Sequence, residues 1–170
     1  DAYYERIARH VVQELGADEG LVVDIGCGAG TFLKQMARCW PGLRGVGVDP
    51  ALPEDSTQMD GRVRLVRGVF TPDLLSERPA LFTCRHVLEH IPDPVAFLRQ
   101  LRDATGPYGA VPLFVEVPDA PWILRTRAFW DFCYEHCNYF SERSLASVLG
   151  RAGFRCRSTR VAYGDQYRWM

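Results

Sequence analysis

Between residues 22 and 32 the chain reads VVDIGCGAGTF, with glycines at 26, 28 and 30 and an acid, Asp24, just ahead of them. A second acid, Asp49, closes the next apolar run, which ends in GVDP at Pro50. The pattern is a strand, a glycine loop, a helix and a second strand ending in an acid. Glycine lets backbone come close to a ligand and takes positive φ at little cost. The helix after the loop aims its unsatisfied amide N–H groups at that ligand. An acid at the tip of the second strand can accept hydrogen bonds from both hydroxyls of a ribose. The chemistry is therefore the binding of a nucleoside cofactor. A dinucleotide requires G-x-G-x-x-G, so that its pyrophosphate rests on the helix N-terminus. Here Thr31 stands where the third glycine would fall. Asp24 is badly placed for a pyrophosphate, since like charges repel. It suits a cationic cofactor that carries an ammonium and a sulfonium.

The segment resembles the glycine-rich motif of class I S-adenosylmethionine-dependent methyltransferases. The resemblance implies S-adenosyl-L-methionine as cofactor, bound by Asp24, Gly26, Cys27, Gly28, Gly30, Thr31, Phe32, Asp49 and Pro50. Ligands of open α/β sheets sit at the carboxyl ends of the strands. Gly68, Val69 and Phe70 follow the third expected strand, a position that flanks the adenine in the family. No acid is present there for the exocyclic amine, so backbone groups or stacking on Phe70 must serve. Cys84, Arg85 and His86 follow the fourth strand and lead into VLEHIPDP. That segment resembles the one lying beneath the methionine part of the cofactor. His86 fits either a cofactor contact or a part-exposed loop position. Glu89 reads as a hydrogen-bonding residue that holds the loop.

After the fifth strand, at VEVPD, comes PWILRTRAFWDFCYEHCNYFS. Its aromatic content suits an acceptor lid, at about 118–140, that keeps water from a pocket. Within it YEHCNYFS, from Tyr134 to Ser141, resembles the E-H-x-x-Y-F-S segment of bacterial sugar C-methyltransferases, which act on nucleotide-linked ketosugars. The LEH segment and SLASVLGRAGF also resemble that family. Carbon methylation beside a ketone needs a base for the α-proton and a donor for the enolate oxygen. His136, oriented by Glu135, is the expected base, because an imidazole titrates near working pH. The resemblance adds His90, and Tyr134 or Tyr139 is a candidate donor. The expected function is methyl transfer to a small-molecule acceptor, with a nucleotide sugar the implied partner. Three other readings stand beside it. One is O-methylation, with His136 or His90 taking a hydroxyl proton. Another is a cofactor-binding module without catalysis. In the third, Glu135 and His136 only tie the lid down. The sugar enzymes also carry a cysteine-rich zinc domain, a further C-terminal domain and a catalytic tyrosine that have no counterpart in this sequence.

At 170 residues the chain is long enough for a sizeable core, and 1–170 reads as one domain. It starts at Asp1 without Met and stops inside an apparent strand, so it is expected to be part of a longer protein. A formal net charge of −1, with arginines scattered among acids, argues against nucleic acid as partner. There is no apolar run long enough for a bilayer and no leader pattern. The six cysteines lack the spacing of a disulfide framework and read as thiols of a reducing, cytoplasmic compartment. Cys133, His136 and Cys137 lack a second ligand pair, so no metal is expected.

These groups must be positioned by alternating strands and helices. Periodicity predicts helices over 2–15 and 29–40, one running from Asp93-Pro94 to 104, and one from Ser141 to just before Gly153. It predicts strands over 21–25, 43–48, 63–66, 80–84 and 109–117, a polar loop over 50–60 and a helical turn over 72–75. Strands over 154–162 and 166–170 are joined through Gly164-Asp165, a hairpin signal. The expected fold is α/β: a Rossmann-like, seven-stranded, mostly parallel sheet with helices on both faces and an antiparallel C-terminal hairpin.

Overall fold

The run Glu19–Ile25 forms strand β1, and its side chains from Leu21 onward are buried without alternation. That is the signature of a strand covered on both faces. The computed structural model, which describes residues 2–170, builds outward from it. In chain order the elements are α1 (Ala2–Leu15), β1, α2 (Thr31–Cys39), β2 (Gly42–Asp49), β3 (Ser56–Gln58), β4 (Val63–Arg67), β5 (Pro79–Arg85), α3 (Pro94–Ala104), β6 (Leu113–Pro118), α4 (Ala120–Thr126), α5 (Glu142–Arg151), β7 (Arg160–Ala162) and β8 (Tyr167–Trp169). Short 3₁₀ turns at Pro72–Leu74, Leu88–His90, Gly106–Tyr108 and Phe129–Asp131 interrupt the connections. The strand order is β3-β4-β2-β1-β5-β6-β8-β7. Strands β1, β2, β4 and β5 pair in parallel, whereas β3, β8 and β7 run antiparallel to their partners. The fold is thus the expected Rossmann-like α/β arrangement, with eight strands rather than seven.

Two compact units divide the chain. The first runs to Cys84 and takes in Tyr108–Phe114; the second comprises Arg85–Pro107 and Val115–Met170. In the first, α1 lies against α2, and Ile7, Leu33, Met36, Leu43 and Leu65 are all but inaccessible. Helix α2 packs closely on β2 because Gly45 has no side chain: a Cβ there would lie 2.9 Å from Leu33. In the second, α3 lies against α5 over Leu98, Leu101 and Leu145. Arg102 Nη1 donates to the carbonyl of Ala152 at 2.8 Å, tying those two helices.

The helix ends follow their capping residues. The Asp93 side chain accepts the Ala96 N–H at 2.9 Å, with Pro94 in the first turn. Ser141 and Ser144 form a reciprocal capping box at α5. Most boundaries fall within two residues of the sequence expectation, and four departures are larger. The polar stretch 50–60 contains β3, which borrows its order from β4, pairing Thr57 with Arg64. Strand β6 begins at Leu113 rather than 109, because Arg78 takes the Tyr108 and Ala110 carbonyls at 3.1 and 2.7 Å. Helix α4 arises inside the expected lid, where Asp119 accepts the Trp122 N–H at 3.1 Å. Strand β7 is confined to Arg160–Ala162, and its hairpin turn takes Tyr163, Gly164 and Asp165 through positive φ. Among the described residues no disulfide forms, and no helix is long and apolar enough to cross a membrane.

Ser141→Ala removes the hydroxyl that accepts the Ser144 N–H at 3.2 Å. It should lower unfolding stability by about 1 kcal/mol, read as a lower urea midpoint at unchanged slope.

Candidate functional site

In the first unit β1 ends at Ile25 and the chain turns through Gly26, Gly28 and Gly30, at φ of 68°, 52° and 71°. Only glycine adopts these angles without steric cost. The Gly26 and Cys27 N–H groups donate to the Val48 carbonyl at 2.8 and 3.2 Å, and the Gly28 N–H donates to Asp49 Oδ2 at 2.7 Å. Asp49 Oδ1 accepts the Ala51 N–H at 2.8 Å. Each carboxylate oxygen thus has one backbone donor and a lone pair to spare. Asp24, 3% exposed on β1, accepts the Thr83 hydroxyl at 2.6 Å. Burial pushes the Cys27 thiol up to about 12, and the negative charges of Asp24 and Asp49 add to it. The wall of this loop is therefore anionic, which favours a cation and opposes a phosphate.

Space around the loop is uneven. A Cβ on Gly30 would lie 2.7 Å from Leu65, and one on Gly47 would lie 2.8 Å from Cys27 Sγ. A Cβ on Gly28 would meet nothing within 4 Å. The open side of the loop is thus at Gly28. Thr31 and Pro50 are exposed, whereas Phe32 and Cys84 are buried. Phe32 meets the ring of Tyr4 at 6.0 Å, a core contact. Gly68 N–H ties the end of β4 to the Asp49 carbonyl at 3.2 Å. Val69 is exposed, and Phe70 stands edge-on to Phe82 at 5.5 Å.

In the second unit a buried acid organises the polar groups. Glu116 Oε1 accepts from Arg85 Nη2 at 2.7 Å and from His86 Nε2 at 2.8 Å. The His86 N–H donates to the Glu116 carbonyl at 2.8 Å, which holds His86 in the left-handed region at φ 54°. A non-glycine residue there is strained unless its surroundings impose it. Burial works against charge on the His86 ring, but the bonds and charges of Glu116 and Glu89 outweigh it and raise its pKa to about 9. The balance favours the charged form of His86, whose ring lies 4.6 Å from that of Tyr167. Sequence patterning around the cofactor motif does not single out Glu116. The signal was there: an acid within LFVEVP, an otherwise apolar strand.

The stretch expected to be a lid is closed at its neck. The Ala120 N–H donates to the Phe140 carbonyl at 2.9 Å, and Asp119 accepts Arg168 Nε at 2.6 Å. Its far part is stitched to the turn Leu88–His90. The Glu89 carbonyl accepts the N–H groups of Cys137 and Asn138 at 2.9 and 3.1 Å, and Asn138 Nδ2 donates to the Ile91 carbonyl at 2.6 Å. His90 Nδ1 lies 3.0 Å from the Glu135 carbonyl. This seam brings the His90 and His136 rings to 4.8 Å, with the buried Glu89 beside them. Ligand atoms of Glu89, His90 and His136 lie within 4.8 Å of one another, a spacing that could hold a metal ion. The Glu135 side chain is exposed, and Tyr134 is wholly in solvent. Tyr139 is 6.0 Å from His136, ring to ring. Of the four residues expected to be catalytic, His90 and His136 meet, with Glu89 as their neighbour, whereas Glu135 and Tyr134 point to solvent.

Residues 1–159 match the family model of the methyltransferase domain, and the chain belongs to that family. It is 35% identical over 101 residues to a ubiquinone biosynthesis O-methyltransferase of Xanthomonas campestris, covering 53% of this chain and 40% of the relative. It is 31% identical over 151 residues to the C-methyltransferase NovU of Streptomyces niveus, covering 85% of this chain and 35% of NovU. The chain therefore spans less than half the length of these relatives. Among solved structures, the N,N-8-amino-8-demethyl-D-riboflavin dimethyltransferase RosA of Streptomyces davawensis superposes with a TM-score of 0.72 at 24% identity, over 98% of this chain and 53% of RosA. The 1,6-didemethyltoxoflavin-N1-methyltransferase of Burkholderia thailandensis does so with a TM-score of 0.69 at 18% identity, over 100% of this chain and 77% of that one. That crystal holds S-adenosylhomocysteine, the demethylated form of the cofactor expected from the glycine loop.

Two outcomes follow from the charges. Glu116→Ala withdraws the acid shared by Arg85 and His86 and should destabilise the protein by roughly 3–5 kcal/mol in denaturant titration. With its thiol held at about 12, Cys27 should resist iodoacetamide at pH 8 while the exposed Cys137 and Cys156 react, as peptide mass mapping would show.

Proposed function

We propose that this chain is the methyl-transferring domain of an S-adenosylmethionine-dependent enzyme acting on a small molecule. The observation that carries the reading is the anionic glycine loop. Asp24 and Asp49 flank three left-handed glycines, and Asp49 is fixed by the Gly28 and Ala51 N–H groups. In this reading Asp49 takes the ribose hydroxyls and Gly28 lets the cofactor approach. Asp24 faces the ammonium and sulfonium charge. Gly26, Cys27, Gly30, Thr31, Phe32 and Pro50 shape the same loop, and Gly68, Val69 and Phe70 border the adenine. Cys84, Arg85 and His86 complete the cofactor residues.

Methyl transfer is a displacement at carbon. The acceptor atom attacks the methyl group as sulfur leaves with the bonding pair. Its rate depends on alignment of the two partners and on an acceptor that has shed its proton. His90 and His136 are the groups placed to activate the acceptor. Residues 118–140 serve as the acceptor lid, with Phe129, Trp130, Phe132 and Tyr139 exposed on it to enclose an organic substrate. The acceptor we favour is a nucleotide-linked ketosugar, methylated at carbon through an enolate. The YEHCNYFS segment supports it. So does the likeness to a C-methyltransferase across 85% of the chain, a span too long to leave out the lid. O-methylation is the second reading, favoured by the 35% likeness to an O-methyltransferase.

Calorimetry with S-adenosylmethionine, and NAD as control, tests the cofactor. Binding of the first alone is expected, and Asp49→Ala should weaken it about 10- to 100-fold, the loss of one or two charge-assisted bonds. Unchanged affinity would sink the pocket assignment. With an accepted substrate, loss of label from the α-carbon into water marks carbon methylation, and its retention marks oxygen. His136→Ala should abolish turnover while cofactor affinity stays within a few-fold of the parent.

A further inference from the structure

We propose that Glu89, His90 and His136 form a binding site for one divalent transition-metal ion, with zinc the ion their chemistry suits. All three belong to the second unit, on the seam between the turn Leu88–His90 and the end of the lid. Glu89 is 2% exposed, and its Oε2 is buried without a hydrogen-bond partner. Its Oε1 lies 3.6 Å from His86 Nδ1. His136 Nδ1 is also buried without a partner. A buried acceptor or donor left unsatisfied is costly, and a charged one more so. Two such atoms, on residues whose ligand atoms come within 4.8 Å of one another, point to an occupant that satisfies both.

His90 supplies the third ligand in the form that a metal requires. A carbonyl oxygen only accepts, so the contact of His90 Nδ1 with the Glu135 carbonyl places the proton on Nδ1. In that tautomer of the neutral ring Nε2 carries the lone pair. A metal-bound histidine is oriented in this way, with its other nitrogen donating to a backbone carbonyl or a carboxylate. One ligand atom from each of the three residues lies within 4.8 Å of the others. Ligands about 2.0–2.2 Å from a tetrahedral zinc stand roughly 3.4 Å apart, so side-chain shifts of about an ångström close the site. Two imidazoles and one carboxylate leave a fourth position for water or for an oxygen of the acceptor. The spacing Cys133–His136–Cys137 suggests no such site. These ligands meet only because the lid folds back on residues 89–91.

The site itself stands apart from the proposed function. Its consequence for catalysis rests on that reading: an ion here would hold the acceptor oxygen and favour its deprotonated form. The test uses the protein stripped with a chelator and then titrated with zinc by calorimetry and with cobalt by visible absorption. One ion per chain is expected, bound at micromolar or tighter affinity, with the intense d–d bands of a tetrahedral cobalt site. Glu89→Gln, close in shape, and His136→Ala should each weaken zinc binding roughly tenfold or more. S-adenosylmethionine affinity, measured on the same samples, reports whether each variant is folded. A Cys133→Ser/Cys137→Ser double variant should bind zinc like the parent. Absence of stoichiometric binding would overturn the proposal and leave the methyltransferase reading intact. So would binding lost in the cysteine variant but kept in Glu89→Gln. Zinc bound as expected by a protein that binds no S-adenosylmethionine would uphold the site and sink the function.

Discussion

The bond from the Gly28 N–H to the Asp49 carboxylate is the constraint on which the first unit depends. It joins a loop after β1 to the last residue of β2 across a separation of 21 residues. The adjoining bonds, from Gly26 and Cys27 to the Val48 carbonyl, make the join a clamp. The loop can accept it because three glycines take left-handed angles and because β2 carries Gly45 and Gly47, which leave room for Leu33 and Cys27. Strand pairing, helix packing and the orientation of one carboxylate are therefore a single geometric solution.

The second unit solves a different problem. Its polar groups come from segments far apart in sequence, and its framework is built from charge. Glu116, with no exposure, gathers Arg85 and His86; Asp119 gathers Arg168, which also reaches Glu142 at 2.7 Å. Buried ion pairs of this kind contribute little net stability compared with apolar packing of equal volume, but losing one partner is severe. What they provide is position: the left-handed turn at His86 and the closed neck of 118–140.

Legibility in the sequence followed the range of the interactions. The glycine loop, Asp49, α1 to its last residue and the Asp93-Pro94 start of α3 are local patterns, and all could be read. So could the α/β order of the strands. Strand β3 could not, since Ser56–Gln58 has no apolar run and is ordered by its partner β4. The late start of β6 depends on Arg78, whose guanidinium captures carbonyls 30 and 32 residues away. Helix α4 was the avoidable omission, because Asp119-Ala120-Pro121 carries the same N-cap and proline logic as Asp93-Pro94. In the second unit, the histidines could be picked out by type. That His136 would meet His90 and Glu89 rather than the neighbouring Glu135 was settled by contacts 45 and 48 residues long in sequence.

One carbonyl, that of Glu89, receives the amides of both Cys137 and Asn138. The two amides are therefore anchored at one point, and His136 lies next to them in the chain. Opening of the lid at that carbonyl would part the histidine pair as well. Native-state hydrogen exchange at those two amides would report how often that seam opens. Any ligand that bridges His90 and His136 would slow that exchange without touching either amide.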